Sequence, residues 1–137
     1  MTKVFLSYAV ADAASVDQIA TALRDAGHVV KKGRSSIDGV DVGGRLAASV
    51  LALKHSDVVV VALSAKGVKS TAIADELTLA ERTYKPIIPV ILESVKLPAD
   101  IAKPLRYLTK INCEADPPAG MTRLLTVVAN WPAAPKR

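Results

Sequence analysis

The chain has a single cysteine, Cys113, among 137 residues. No internal disulfide can form, and a reducing, cytoplasmic compartment is the natural expectation. Two histidines, His28 and His55, and that one cysteine lie far apart in sequence, a poor set for a tetrahedral metal site, so no metal is expected. Aromatics make up only 4% of the residues, and no aromatic stacking platform accompanies the one compact basic group, Lys31, Lys32 and Arg34. No apolar run approaches the roughly 18–20 residues of a membrane span. The first residues run straight into the strand-like "KVFLSY" rather than through a leader, so no signal peptide is expected. Neither nucleic acid nor membrane is an expected partner. The net charge of +5 reads as a solvated surface. Its one compact group, Lys31, Lys32 and Arg34, suits at most a nucleotide-sized anion.

What is present is a regular alternation. Half the residues are hydrophobic, mostly Ala and Val, enough for one core in one domain. "KVFLSY" (3–8) reads as a strand. "ADAAS" is a turn in which Asp12 or Ser15 could cap a helix running from Val16 through Ile19, Ala20 and Leu23, with Gly27 as its stop. "HVVKK" is a short edge strand, and "GRSSIDGVDVGG" (33–44) a glycine-rich loop that breaks regular structure. Arg45 to Lys54 is helical, with His55 at its end as a structural residue. "SDVVVVALS" and "PIIPVIL" are continuous apolar runs, the mark of strands buried on both faces. Ser70 to Tyr84 is the next helix, "LPADIAKPLRYL" a proline-interrupted helical region, "KINC" a last edge strand, and 120–131 a closing helix. Residues 132–137, "PAAPKR", read as a linker after a domain spanning 1–131.

Strict β/α alternation predicts an α/β fold: a five-stranded, doubly wound parallel sheet with helices on both faces. The two central apolar runs favour the flavodoxin-like order 2-1-3-4-5. Ligands then bind beyond the strand C-termini, at the switch between strands 1 and 3. Ser7 and Tyr8 end strand 1, Ser64 ends strand 3, and the helix carrying "KSTAIADEL" rises from the same edge.

That helix holds two adjacent acids, which point about 100° apart. With Ile73, Leu77 and Ala80 centring the buried stripe, Glu76 falls on its shoulder and Asp75 faces solvent. From geometry alone, Glu76 is either an ordinary shoulder residue in a salt bridge or a functional carboxylate.

The segments "KVFLSYAVAD", "LRDAGHVV", "SDVVVVALSAKGVKSTAIADELTLA" and "KPIIPVIL" resemble, in this order, the boxes of a TIR (Toll/interleukin-1 receptor) domain of bacterial type, over roughly residues 3–131. The resemblance implies the fold just deduced. It also implies one of two functions: cleavage of NAD⁺ between nicotinamide and ribose, or association with further TIR domains without catalysis. Glu76 matches the single glutamate essential in the enzymatic members. The loop 33–44 matches the one that covers the site and meets a neighbouring protomer, so head-to-tail, filament-forming self-association is implied. The family often has S-x-W-C-x-x-E-L where this chain reads Ser70-Thr71-Ala72-Ile73-Ala74-Asp75-Glu76-Leu77. Ala72 thus replaces an aromatic that would support the substrate.

With NAD⁺ as substrate the chemistry needs neither cofactor nor metal. Nicotinamide leaves as a neutral base from a cationic ring, and a carboxylate on the ribose hydroxyls gains strength as oxocarbenium charge develops. Water capture gives ADP-ribose, and internal capture gives a cyclic isomer. Groups near Ser7, Tyr8 and Ala9, together with Arg34, are the expected diphosphate partners, and Ser64, Ser70 and Ala72 complete the expected substrate-binding set. A role in bacterial antiphage immunity or as a toxin follows from the resemblance, with a fused or partner sensor domain. Nucleoside deoxyribosyltransferases, a related α/β class with a catalytic Glu, are a more distant alternative. A phospho-receiver is disfavoured because strand 3 ends in Ser64 rather than Asp.

Overall fold

The computed structural model describes residues 2–33, 51–69 and 71–130. Its strands are β1 (Lys3–Ser7), β2 (Val29–Lys32), β3 (Val58–Leu63), β4 (Ile87–Ile91) and β5 (Ile111–Asn112). Its helices are α1 (Ala13–Asp25), residues 51–54 (α2), α3 (Thr71–Arg82), α4 (Ala99–Leu105) and α5 (Pro117–Ala129). All strand pairs are parallel and the order is β2-β1-β3-β4-β5, as the alternation predicts. Every residue of β3 is buried, which is what a strand covered on both faces requires. Among the described residues no helix is long and apolar enough to cross a membrane.

The two faces of the sheet carry separate clusters. Val4, Leu6, Val58, Val60 and Ala62 pack with Val16, Ile19 and Leu23 of α1 and with Leu124 and Val128 of α5. On the other face Phe5 and Val59 meet Leu53 of α2 and Ala80 of α3. Beside them Val61 and Leu63 meet Ile73 and Leu77 of α3 and Ile101 and Leu105 of α4. Side chains alternate between faces along a strand, so Ser7 shares the α3 face with Phe5.

Helix ends follow local chemistry. α1 closes on Gly27, whose φ of 94° lets its N–H reach Arg24 while the His28 N–H reaches Leu23. α3 closes in the same way on Tyr84, a non-glycine at φ 58°, with bonds from Tyr84 to Glu81 and from Lys85 to Ala80. It therefore stops at Arg82 rather than running to Tyr84. α5 starts at Pro117, earlier than the apolar spacing indicates. Asp116 caps it by accepting from the Ala119 N–H at 3.1 Å, and proline fits a first turn whose N–H has no helical partner. α1 likewise starts at Ala13, ahead of Val16, its first fully buried residue. Asp12 is its N-cap residue yet makes no capping bond, because Ser64 holds its carboxylate.

Candidate functional site

β1 and β3 are neighbours whose chains leave the sheet in different directions, α1 on one face and α3 on the other. The fork between them is where a ligand reaches strand ends and helix starts together. Glu76, in the second turn of α3, points its carboxylate into this fork. It is 3% exposed, and Ile73, Leu77 and Ala80 on the same helix are fully buried. Asp75 beside it is exposed. The stripe is the one read from spacing, but Glu76 lies deeper than its shoulder.

Among the described residues, two features outside the helix go with this depth. The Ser7 hydroxyl, at the end of β1, donates to Glu76 Oε1 at 2.6 Å, and Ser7 is itself wholly buried. In a dry site such a bond satisfies both partners, where a buried polar group left unpaired costs about 1–3 kcal/mol. The second feature is Gly33. Its N–H donates to Leu6 O at 2.7 Å, so the β1–β2 ladder continues one residue beyond the Leu6–Lys32 pair and brings Gly33 alongside Ser7. Read from sequence as the start of an irregular loop, Gly33 is instead held to the sheet. Only its missing side chain leaves room for the carboxylate.

The other expected residues separate. Tyr8 is buried in the cluster under α1 and α5, and Ala9 in the one under α3 and α4. The Ser64 hydroxyl donates to Asp12 Oδ2 at 2.5 Å and accepts from the Gly67 N–H at 3.0 Å. Arg34, Ser70 and most of the glycine-rich loop lie outside the described residues, as does the side chain of Ala72. His55 is exposed. With Lys3, Arg24, Lys31, Lys32 and Leu51 it borders a cavity of about 800 Å³ at the β2 edge that includes neither Ser7 nor Glu76. Lys32 forms an ion pair with Asp17 of α1. Among the described residues no group of His, Cys, Asp or Glu is placed to hold a metal ion.

A carboxyl group in this place can accept hydrogen bonds and, when ionised, can stabilise positive charge. The arrangement offers no nucleophile–base pair of the Ser–His type among the described residues: Ser7 donates to an acid, and both histidines lie elsewhere. Sequence reasoning found Glu76 and Ser7 separately and missed both their bond and Gly33. The one available signal was the register of β1 against β2, which sets residue 33 opposite residue 7.

The sequence model of the TIR domain family matches residues 4–125. None of the curated protein sequences matches the chain significantly. Among solved structures, the TIR domain of the Toll-related receptor TRR-2 from Hydra magnipapillata superposes with a TM-score of 0.70 at 19% identity, covering 95% of this chain and 100% of that one. The CMP N-glycosidase BcmB of Clostridium botulinum gives 0.63 at 14% identity, covering 89% and 97%. A 2-deoxyribosyltransferase from Bacillus psychrosaccharolyticus gives 0.61 at 19% identity, covering 74% and 80%. At these identities the likeness is one of fold.

Proposed function

Since the chain belongs to the TIR domain family, we propose that it is an NAD⁺ nucleosidase that breaks the bond between nicotinamide and ribose, with Glu76 as its catalytic carboxylate. The observation that carries this reading is the buried carboxylate itself, tied to Ser7 at the fork between β1 and β3. Two structural neighbours are named for chemistry on nucleosides or nucleotides, a CMP N-glycosidase and a 2-deoxyribosyltransferase.

Nicotinamide needs no general acid to leave, because it takes the bonding electron pair and departs neutral. Positive charge then grows on the ribose carbon and ring oxygen. Glu76, accepting from the ribose hydroxyls, is worth more in that transition state than in the ground state. Ser7 holds the carboxylate in one orientation. The diphosphate falls to backbone N–H groups after β1 and to Arg34 and Ser70, while Ser64 keeps the turn in shape. Water capture yields ADP-ribose, and capture by a nucleophile of the same nucleotide yields a cyclic isomer.

With Glu76 only 3% exposed, nucleotide binding must uncover it. Self-assembly is the activating step in this reading, with antiphage defence or toxicity as the biological setting and a fused or partner sensor as the trigger. A second reading, a non-enzymatic TIR–TIR interaction module, is favoured by Ala72 at the position where the family often carries tryptophan. Nicotinamide release from NAD⁺, followed by chromatography across a protein dilution series, separates the two. Turnover per mole that rises with concentration and vanishes in Glu76→Gln supports the nucleosidase. No release at any concentration leaves the interaction module.

A further inference from the structure

Glycine at position 33 is not demanded by the backbone: Gly27 alone among the described glycines has a positive φ. Gly33 is demanded by space. A Cβ built on it would stand 2.8 Å from Glu76 Oε2, 2.9 Å from Oε1 and 3.2 Å from Cδ, all inside the 3.4 Å at which ordinary contact begins. All three nearest atoms belong to one carboxylate. We propose that Gly33 is a positioning residue for Glu76, a gap in the side-chain layer of β2 that seats the carboxylate against Ser7. The proposal rests on the reading of Glu76 as the group that acts on ribose.

The mechanics follow from what is fixed and what is free. The N–H of Gly33 is bonded to Leu6 O at 2.7 Å, so the strand cannot retreat without breaking the ladder. A glutamate carboxylate is the far end of a flexible side chain and yields first. To relieve the clash it must leave the 2.6 Å bond from Ser7. An alanine at 33 therefore leaves the sheet paired and moves the one group whose position the chemistry needs. Displacing a reacting group by about 1 Å costs on the order of 100-fold in rate.

The test crosses Gly33→Ala with Glu76→Ala and reads melting temperature in both backgrounds, with NAD⁺ kinetics in the first. In the parent chain Gly33→Ala should lower the melting temperature by about 5–10 °C, the scale of losing the Ser7 bond. In the Glu76→Ala background, where the obstructing carboxylate is gone, the same change should cost almost nothing. Turnover should fall about 100-fold in kcat with KM within about threefold, since ground-state binding elsewhere is untouched. An equal melting loss in both backgrounds, or full kcat in Gly33→Ala, overturns the proposal. If Gly33→Ala fails to fold alone, folding of the double variant supports it and failure of both overturns it. A parent chain that releases no nicotinamide refutes the catalytic reading of Glu76, and the melting cycle still decides whether Gly33 seats that carboxylate.

Discussion

Two serines end the two strands that flank the fork, and each donates its hydroxyl to a carboxylate on the other strand's helix. Ser7, at the end of β1, reaches Glu76 on α3, which follows β3. Ser64, just after β3, reaches Asp12 at the start of α1, which follows β1. The two ties cross the fork in opposite directions and on opposite faces of the sheet. Their settings differ. Asp12 is half-exposed at a helix start, and Ser64 also takes the Gly67 N–H, so this tie is a closed local network that shapes a turn. Glu76 is 3% exposed on the helix that buries Ile73 and Leu77, with Ser7 and a glycine beside its carboxylate. Similar bonds of 2.5 and 2.6 Å thus serve two ends. At the half-exposed carboxylate another good acceptor is expected to serve as well. The buried one sits where an ionised carboxylate is costly, which is the setting that the proposed role of Glu76 needs.

The comparison breaks most visibly at Glu76. Glu76→Gln keeps shape and hydrogen bonding but removes the charge, so turnover should fall about 10²–10³-fold, the scale of losing one electrostatic stabiliser of a transition state. The nicotinamide-release assay checks this with circular dichroism as the fold control. Next comes Ser7→Ala, which leaves the carboxylate without its strand-end donor. A loss of about 1.5–3 kcal/mol in urea unfolding is expected, and turnover should fall about tenfold. Ser7→Thr, which retains a hydroxyl, should recover most of both.

How far the sequence discloses this difference depends on distance along the chain. The sheet order was legible because β3 and β4 are short apolar runs that only burial on both faces explains. The stripe of α3 was legible because Ile73, Leu77 and Ala80 are near neighbours in one helix. The depth of Glu76 was not, because Ser7, its partner, is 69 residues away and Gly33 reaches it only through strand register. The start of α1 was blurred for the same reason. Asp12 looks like a cap, but its carboxylate is spent on Ser64, 52 residues on. The glycine-rich loop seen in the sequence, expected to meet a neighbouring protomer, lies outside the described residues apart from Gly33.

Weaker effects sharpen the contrast. Ser64→Ala should cost about 1 kcal/mol in urea unfolding, one neutral-scale hydrogen bond with water able to reach Asp12. Asp75→Ala, on the exposed side of the same helix as Glu76, should leave turnover within about twofold and stability within about 0.5 kcal/mol. The smallest effect belongs to the far edge of the sheet. There burial pushes the Cys113 thiol up from its ordinary range. A raised folded pKa means that the associated stability is fully present below the unfolded value and is lost as pH rises through the folded one. Near neutrality no change is expected. A thiol reagent should label Cys113 slowly until unfolding exposes it, and labelling at the free-cysteine rate in the native protein would contradict that.

The most direct test sets the two carboxylates side by side. Nicotinamide release from NAD⁺ is measured at one high protein concentration for the parent chain, Glu76→Gln and Asp12→Asn, each verified as folded. The account predicts release by the parent, release within about threefold of it by Asp12→Asn, and a loss of about 100-fold or more in Glu76→Gln. Equal losses in the two variants, or undiminished release by Glu76→Gln, would contradict it.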